Sequence, residues 1–351
     1  MTLFSASSSP RPLVRLVTQI VATTVTVFVL ASCATNDDLR AQQSGHVVQN
    51  CGVDVSVPDN PQRVVTLGAE SITTLHELGV LDRVVARAGE YPRDYFDEPT
   101  WNEVEKIPSL TDRLNSTGHI QLSIESALAQ KPDLVIGSTE TITRQALQPH
   151  NVAQLNEAAF CGAFNRPANW NDVWEHVDTY ATAFNRQAEG REYVQQLKRR
   201  LAENRTAPRG QKVLITYPSI GGGPMYAYGN HSMSNAVVEA AGLENVFANE
   251  DQRVFEVNPE QVAAKNPDVI IALYTAGDPV QVKNAVSNYE GTKNSRATRE
   301  GRVLPLLLNY AEPPTPLALK GVEKIREFTS PAVNATELSV TKKASREQTH
   351  G

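Results

Sequence analysis

Residues 123–138 read S-I-E-S-A-L-A-Q-K-P-D-L-V-I-G-S, and their sense is a short helix, a proline stop and a buried strand. Ser123 is suited to cap the helix, and Glu125 falls in its first turn, where the helix dipole favours a carboxylate. Pro132 biases Lys131 away from helical dihedrals, so the helix ends there. Leu134, Val135 and Ile136 then run apolar without alternation, as in a strand covered on both faces. The same sentence returns at residues 258–273, N-P-E-Q-V-A-A-K-N-P-D-V-I-I-A-L, with Glu260 in the place of Glu125 and Pro267-Asp268 in that of Pro132-Asp133. The copies lie 135 residues apart, too far for a solenoid unit and about the length of a domain. The expected fold is therefore α/β: two similar lobes, each with a mainly parallel sheet and one copy of the unit.

Composition fits this reading. The 351 residues are 40% hydrophobic and 21% charged, enough for one or two domains with ample core. A formal net charge of −6 leaves no basic footprint for nucleic acid. At the N-terminus, Arg11 and Arg15 precede an apolar run at residues 20–30 of signal-peptide length. Leu30-Ala31-Ser32-Cys33 follows at once and resembles the lipobox of bacterial lipoproteins, which makes Cys33 the expected site of acylation and first mature residue. A simple membrane anchor is the alternative. In a chain exported this way only Cys51 and Cys161 remain, in an oxidising compartment. A disulfide between them is expected, two free buried thiols being the other reading.

Taken in order, residues 33–45 read as a tether and 46–58 as a β-hairpin around Asn50-Cys51-Gly52. Strands are expected at 63–67 and 84–86, with a helix at 71–78 between them, so the opening is β-α-β and the sheet parallel. Residues 87–108 hold Tyr91, Tyr95, Phe96 and Trp101 among mixed charges, and read as a loop that either walls a ligand or packs on its own lobe. Helical periodicity is expected near 144–158 despite Pro149, and a last strand of this lobe at 160–163. Residues 170–184 form a helix capped by Asn169. Glu189-Gly190-Arg191 reads as a junction to a second helix over 187–204, about 27 Å long. In the second lobe, strands fall at 212–216, 225–228 and 303–308, and helices at 232–241 and 316–328. A polar stretch precedes the last strand, and the tail from 331 is unpatterned.

Catalytic constellations are missing from the sequence. There is no G-x-S-x-G, phosphate loop, H-E-x-x-H or C-x-x-C, and none of the seven histidines pair at i, i+4. Neither an enzyme nor a dedicated metal site is expected. Binding is. Tyr217, Tyr226, Tyr228, Tyr274 and Tyr310 fall near strand ends, where parallel α/β sheets take their ligands. Arg87 just past a strand, Tyr91 in the loop that follows it, Ser138 at a strand end and Arg253 in the loop before the second repeat are further candidates, and the two arginines are expected to favour a ligand with anionic oxygens.

The lipobox at Cys33, P-Q-R-V-V at 61–65, E-S-A-L-A-Q-K-P-D-L-V-I at 125–136, the helical bridge and E-Q-V-A-A-K-N-P-D-V-I-I at 260–271 together resemble the substrate-binding proteins of ABC importers. The likeness is to the rigid-spine class for ferric siderophores, haem and cobalamin. It implies an N-terminal lobe at 46–186, a spine helix at 187–205 and a C-terminal lobe at 206–330, with a ligand cleft between the lobes. It also implies a monomer anchored only by lipid on the outer face of the cytoplasmic membrane. Such a protein needs no cofactor; it passes a ferric chelate to a permease and its ATPase. Haem or a corrinoid is the alternative ligand, with free zinc or manganese further off because clustered histidines are absent. The resemblance makes Glu125 and Glu260 permease-docking residues, one on each lobe; the residues alone read equally as dipole-favoured carboxylates.

Overall fold

A computed structural model describes residues 45–115, 118–162 and 165–330. The leader, Cys33, most of the tether and the tail lie outside the described residues. The described chain opens on an antiparallel hairpin, β1 (Gly45–Asn50) and β2 (Val53–Pro58), with positive φ at both turn residues, Cys51 and Gly52. That is the geometry which matches a tight turn to strand twist. The first lobe continues through β3 (Val64–Leu67), α1 (Ile72–Glu77), β4 (Val84–Ala88), α2 (Glu98–Val104), β5 (Ser109–Thr111), α3 (Ile124–Leu128), β6 (Leu134–Ile136), α4 (Arg144–Leu147) and β7 (Ala153–Leu155). Its five-stranded sheet is parallel throughout, in the order β5-β4-β3-β6-β7.

Two helices, α5 (Trp170–Ala183) and α6 (Gln187–Asn204), lead to the second lobe. There follow β8 (Gln211–Pro218), β9 (Met225–Tyr228), α7 (Met233–Ala240), β10 (Leu243–Asn245), β11 (Val254–Val257), α8 (Pro259–Lys265), β12 (Val269–Tyr274), α9 (Pro279–Asn288), α10 (Arg296–Arg299), β13 (Val303–Leu307) and α11 (Leu317–Thr329). This sheet runs β11-β9-β8-β12-β13, with β10 beside β8; β9 is antiparallel to both its neighbours.

The repeated Pro-Asp has a structural meaning in both lobes. Asp133 accepts hydrogen bonds from the backbone amides of Gln62 (2.8 Å) and Arg63 (3.0 Å), while its own amide donates to the Arg63 carbonyl at 2.9 Å. Asp268 accepts from the Lys212 amide at 2.9 Å and donates to the Lys212 carbonyl at 2.8 Å. Each aspartate thus staples the head of the neighbouring central strand, β3 or β8, and sets its register against β6 or β12. The residues before the prolines, Lys131 and Asn266, turn out of their helices with φ of 50° and 42°.

Five expectations need correction. Residues 144–158 are not one helix: α4 stops at Leu147, Pro149 sits in a 3-10 turn, and residues 153–155 pair with β6. The last strand of the lobe is therefore β7, and Phe160 lies in a turn, 46% exposed. Residues 87–108 contain α2, capped by Asp97, and Tyr95 and Phe96 are buried in the lobe. The break between α5 and α6 falls at Asn185 (φ 54°), not at Gly190, which lies inside α6. A Cβ at Gly190 would stand 2.5 Å from the Ala181 Cβ, so glycine there lets the two helices close on each other. Lastly, the polar stretch before β13 holds α9 and α10. Cys51 and Cys161 are bonded as expected, with Cα atoms 6.0 Å apart, clasping the hairpin turn to the segment after β7.

Replacing Asp133 or Asp268 with alanine should lower the free energy of unfolding by about 1–3 kcal/mol each, as charge-assisted bonds to strand-head amides are lost. Urea denaturation of the two variants measures this, and the effects should add because the sites lie in separate sheets.

Candidate functional site

The crossovers locate the site. In the first sheet the chain leaves β3 toward β4 and β5 on one side and toward β6 and β7 on the other, so the switch point lies between β3 and β6. In the second sheet it lies between β8 and β12. Gly68, Ala69, Glu70, Gly137 and Ser138 occupy the first exit; Tyr217 and Thr275 occupy the second, their hydroxyls 3.2 Å apart. The exits face one another. Gly118, in the loop after β5, lies so close that a Cβ on it would be 3.6 Å from the Tyr217 hydroxyl. The Asn309 side chain hydrogen-bonds Glu70, and the Asn309 amide donates to the Tyr95 hydroxyl at 3.0 Å. Tyr95 meets Tyr310 edge to face at 5.0 Å, and Lys320 donates to the Tyr95 carbonyl at 2.9 Å.

Not every residue singled out from the sequence presents itself to this crevice. Ser138 is exposed just past β6, Tyr226 is 36% exposed on β9, and Tyr217 and Tyr274 are half-buried at the ends of β8 and β12. These four line it. Tyr91 does not: it is buried, with its hydroxyl donating to the Gly68 carbonyl at 2.7 Å and bonded to the Thr66 hydroxyl at 2.8 Å. Tyr310 is also buried, and its hydroxyl donates to the Asp94 carbonyl. Both phenols join structural elements. Arg87 lies in β4, its guanidinium 4.7 Å over the Tyr91 ring and its Nε donating to the Ile107 carbonyl at 3.3 Å. Arg253 reaches across to the first lobe, 5.6 Å over the Phe160 ring, and pairs at 3.1 Å with Glu312.

Sequence reasoning missed Glu70. Burial pushes its carboxyl up to about 7, the charge of Glu157 adds to the shift, and the hydrogen bond from Asn309 opposes it. The Glu70 charge in turn adds to the upward shifts that burial imposes on Tyr91, Tyr95 and Tyr180. The signal was its position, an acid at the exit of an apolar strand, which also reads as an ordinary residue before a helix. Glu157 is held apart from the crevice by His176 (2.9 Å) and the Tyr180 hydroxyl (2.7 Å), and His176 in turn meets the Thr74 hydroxyl at 2.9 Å. That buried set is saturated and structural. Glu125 and Glu260 stand exposed in the first turns of α3 and α8. The Glu125 carboxyl is held below its usual range by its own backbone amide and by the Ser123 hydroxyl. Among the described residues, no group of three His, Cys, Asp or Glu could hold a metal ion, and no helix is long and apolar enough to cross a membrane.

Because the folded state raises the Glu70 pKa, it binds that proton more tightly than the unfolded chain, and its contribution to stability falls as pH rises from about 4.5 to 7. Glu70→Gln should therefore stabilise the protein at pH 8 by roughly 2–3 kcal/mol and change little at pH 4.5. Denaturant titrations at the two pH values check the sign.

A family model described as periplasmic binding protein matches residues 64–306. A crystal structure of an ABC-type Fe3+-hydroxamate transport system from Saccharomonospora viridis is 41% identical, covers 81% of this chain and 98% of its own, and superposes with a TM-score of 0.76. An uncharacterized ABC transporter substrate-binding lipoprotein of Bacillus subtilis is 21% identical over 86% of this chain and 93% of its own length. A periplasmic haem-binding protein from Roseiflexus, 19% identical with a TM-score of 0.59 over 77% of this chain and 99% of its own, shares the fold. The chain belongs to the periplasmic binding protein family, as an ABC-importer substrate-binding protein of the class that serves ferric siderophores, haem and cobalamin.

Proposed function

We propose that the crevice between the two switch points captures a ferric siderophore of the hydroxamate type. The observation that carries this reading is the 41% identity, over 81% of the chain, to a structure named for Fe3+-hydroxamate transport. The crevice chemistry supports it: phenols of Tyr217, Tyr226 and Tyr274 and the hydroxyls of Ser138 and Thr275 suit the carbonyl and N–O oxygens of such a chelate, with ring faces for its apolar edges. A thermal-shift panel should show a rise in melting temperature with ferric trihydroxamates and none with the iron-free ligands, haem, cobalamin or free Zn2+ and Mn2+. A rise with haem or cobalamin alone would transfer the assignment to that ligand.

Delivery follows from the family. We place the protein on the outer face of the cytoplasmic membrane, held by lipid at Cys33, where it passes its ligand as a monomer to a permease and ATPase. Glu125 and Glu260 are the docking residues in this reading. They stand in equivalent exposed first turns, one per lobe, and complementary charge on a permease would orient the complex and raise its association rate. Glu125→Ala combined with Glu260→Ala should leave ligand affinity unchanged and stability lowered by less than about 1 kcal/mol, yet strongly reduce binding-protein-stimulated ATP hydrolysis in reconstituted membranes. Cys33→Ser in the same preparation should leave the protein unacylated, without changing ligand binding. Normal ATPase stimulation by the folded double variant would return both acids to helix capping.

A further inference from the structure

We infer that the crevice selects ferric chelates carrying no net negative charge, because its arginine Arg253 is neutralised from within by Glu312 and carboxylates outnumber cations around the rest of the rim. The inference rests on the reading of this crevice as a chelate site and narrows its substrate class.

Arg87 and Arg253, taken from the sequence, promised a positive site, and the tertiary structure reverses that promise. Glu312 follows the exit of β13 with its side chain 1% exposed, while that of Arg253 is 30% exposed. The carboxylate of Glu312 takes three donors: the Ser232 hydroxyl, the Met233 amide at the head of α7, and Arg253 Nη1 at 3.1 Å. Seen from a ligand, that pair contributes little net charge. It offers the remaining guanidinium donors as hydrogen bonds rather than as a free cation.

The strand exits of the first lobe tilt the balance further. Glu70, held partly neutral by burial, stands past β3, with Glu90 past β4 and Asp112 past β5, against Arg87 and the exposed Arg113. The Glu90 carboxyl is pushed up, first by burial and then by the charge of Asp112, with Arg87 only partly compensating. On the second lobe Asp278 stands near Tyr274. The walls between are neutral phenols, whose ring faces attract cations.

Ligand charge follows from coordination chemistry. Three hydroxamates, each a monoanion, exactly balance Fe3+ and give an uncharged complex; a pendant ammonium makes it a cation and a pendant carboxylate an anion. Three catecholates leave a trianion, and haem brings two propionates. An anion entering this crevice would face carboxylates across a poorly screened gap, with the Arg253 guanidinium already engaged by Glu312.

The test uses three ferric trihydroxamates on one scaffold: uncharged, ammonium-bearing and carboxylate-bearing. Dissociation constants are measured at pH 7 by quenching of intrinsic fluorescence. The carboxylate form should bind at least about tenfold more weakly than the uncharged form, and the ammonium form at least as tightly. Glu312→Gln keeps an acceptor for Ser232 and the Met233 amide while removing the charge, and should bring the carboxylate form to within about threefold. Glu90→Gln, a partly exposed rim change without that structural duty, should narrow the gap independently. Raising the salt should narrow it in the wild type as well. Equal affinity for all three forms, or a gap that neither variant nor salt changes, would overturn the charge selection while leaving chelate binding intact. Failure of all three to bind would instead overturn the ferric-hydroxamate reading, and the charge inference with it.

Discussion

One apolar core threads both lobes, and the rest of the structure depends on it. It runs from Val48 and Val64 in the first lobe through Val177, Tyr180, Leu197 and Leu201 of the linking helices to Val213, Val237, Ile271 and Ile325 in the second. Two smaller clusters fill the opposite faces of the two sheets. Parting the lobes widely would bring the shared core into water, at about 25 cal/mol for each Å2 of apolar surface. Tyr95, packed against Tyr310 and bonded through Asn309 and Lys320, adds polar contacts beside it.

The division of labour along each strand is set by where its backbone is pinned. Asp133 and Asp268 hold the heads of β3 and β8, and parallel pairing carries that register to β6 in one sheet and β12 in the other. The opposite ends open into turns and loops, which is where an α/β sheet leaves polar groups free for a ligand. Glu70, Ser138, Tyr217 and Thr275 all stand at such exits. The short repeated motif that announces the duplication therefore serves the sheets, and the binding surface is carried by segments that differ between the lobes. This is how two similar scaffolds make one asymmetric crevice.

Charge in this crevice is a property of pairs. Arg253 reads as a cation in the sequence and becomes half of an ion pair once β11 and the turn after β13 are brought together. Arg87 spends part of its capacity on Tyr91 and Ile107. The burial that orders these groups also raises the cost of leaving any of them alone, which is why Glu312 draws three donors and Glu70 is pushed toward its neutral form.

The sequence by itself determined the duplication, the α/β class, the helices α5 and α6, the hairpin and the Cys51–Cys161 pairing. These rest on local signals: caps, proline stops, apolar runs and a cysteine count read against an exported chain. It also placed Ser138, Tyr217, Tyr226 and Tyr274 at or near strand ends, because a strand's end is visible where its apolar run stops. Tertiary structure alone decided that residues 153–155 are a strand, that β9 and β11 run antiparallel, and that Gly190 lies inside a helix, since each depends on a partner distant in the chain. It alone buried Tyr91 and Tyr310 and gave their hydroxyls carbonyl partners. Glu70 and Glu312 became conspicuous only there as well. A carboxylate's burial and its partners are set by packing, and no spacing in the sequence encodes that Glu312, 59 residues beyond Arg253, would meet its guanidinium.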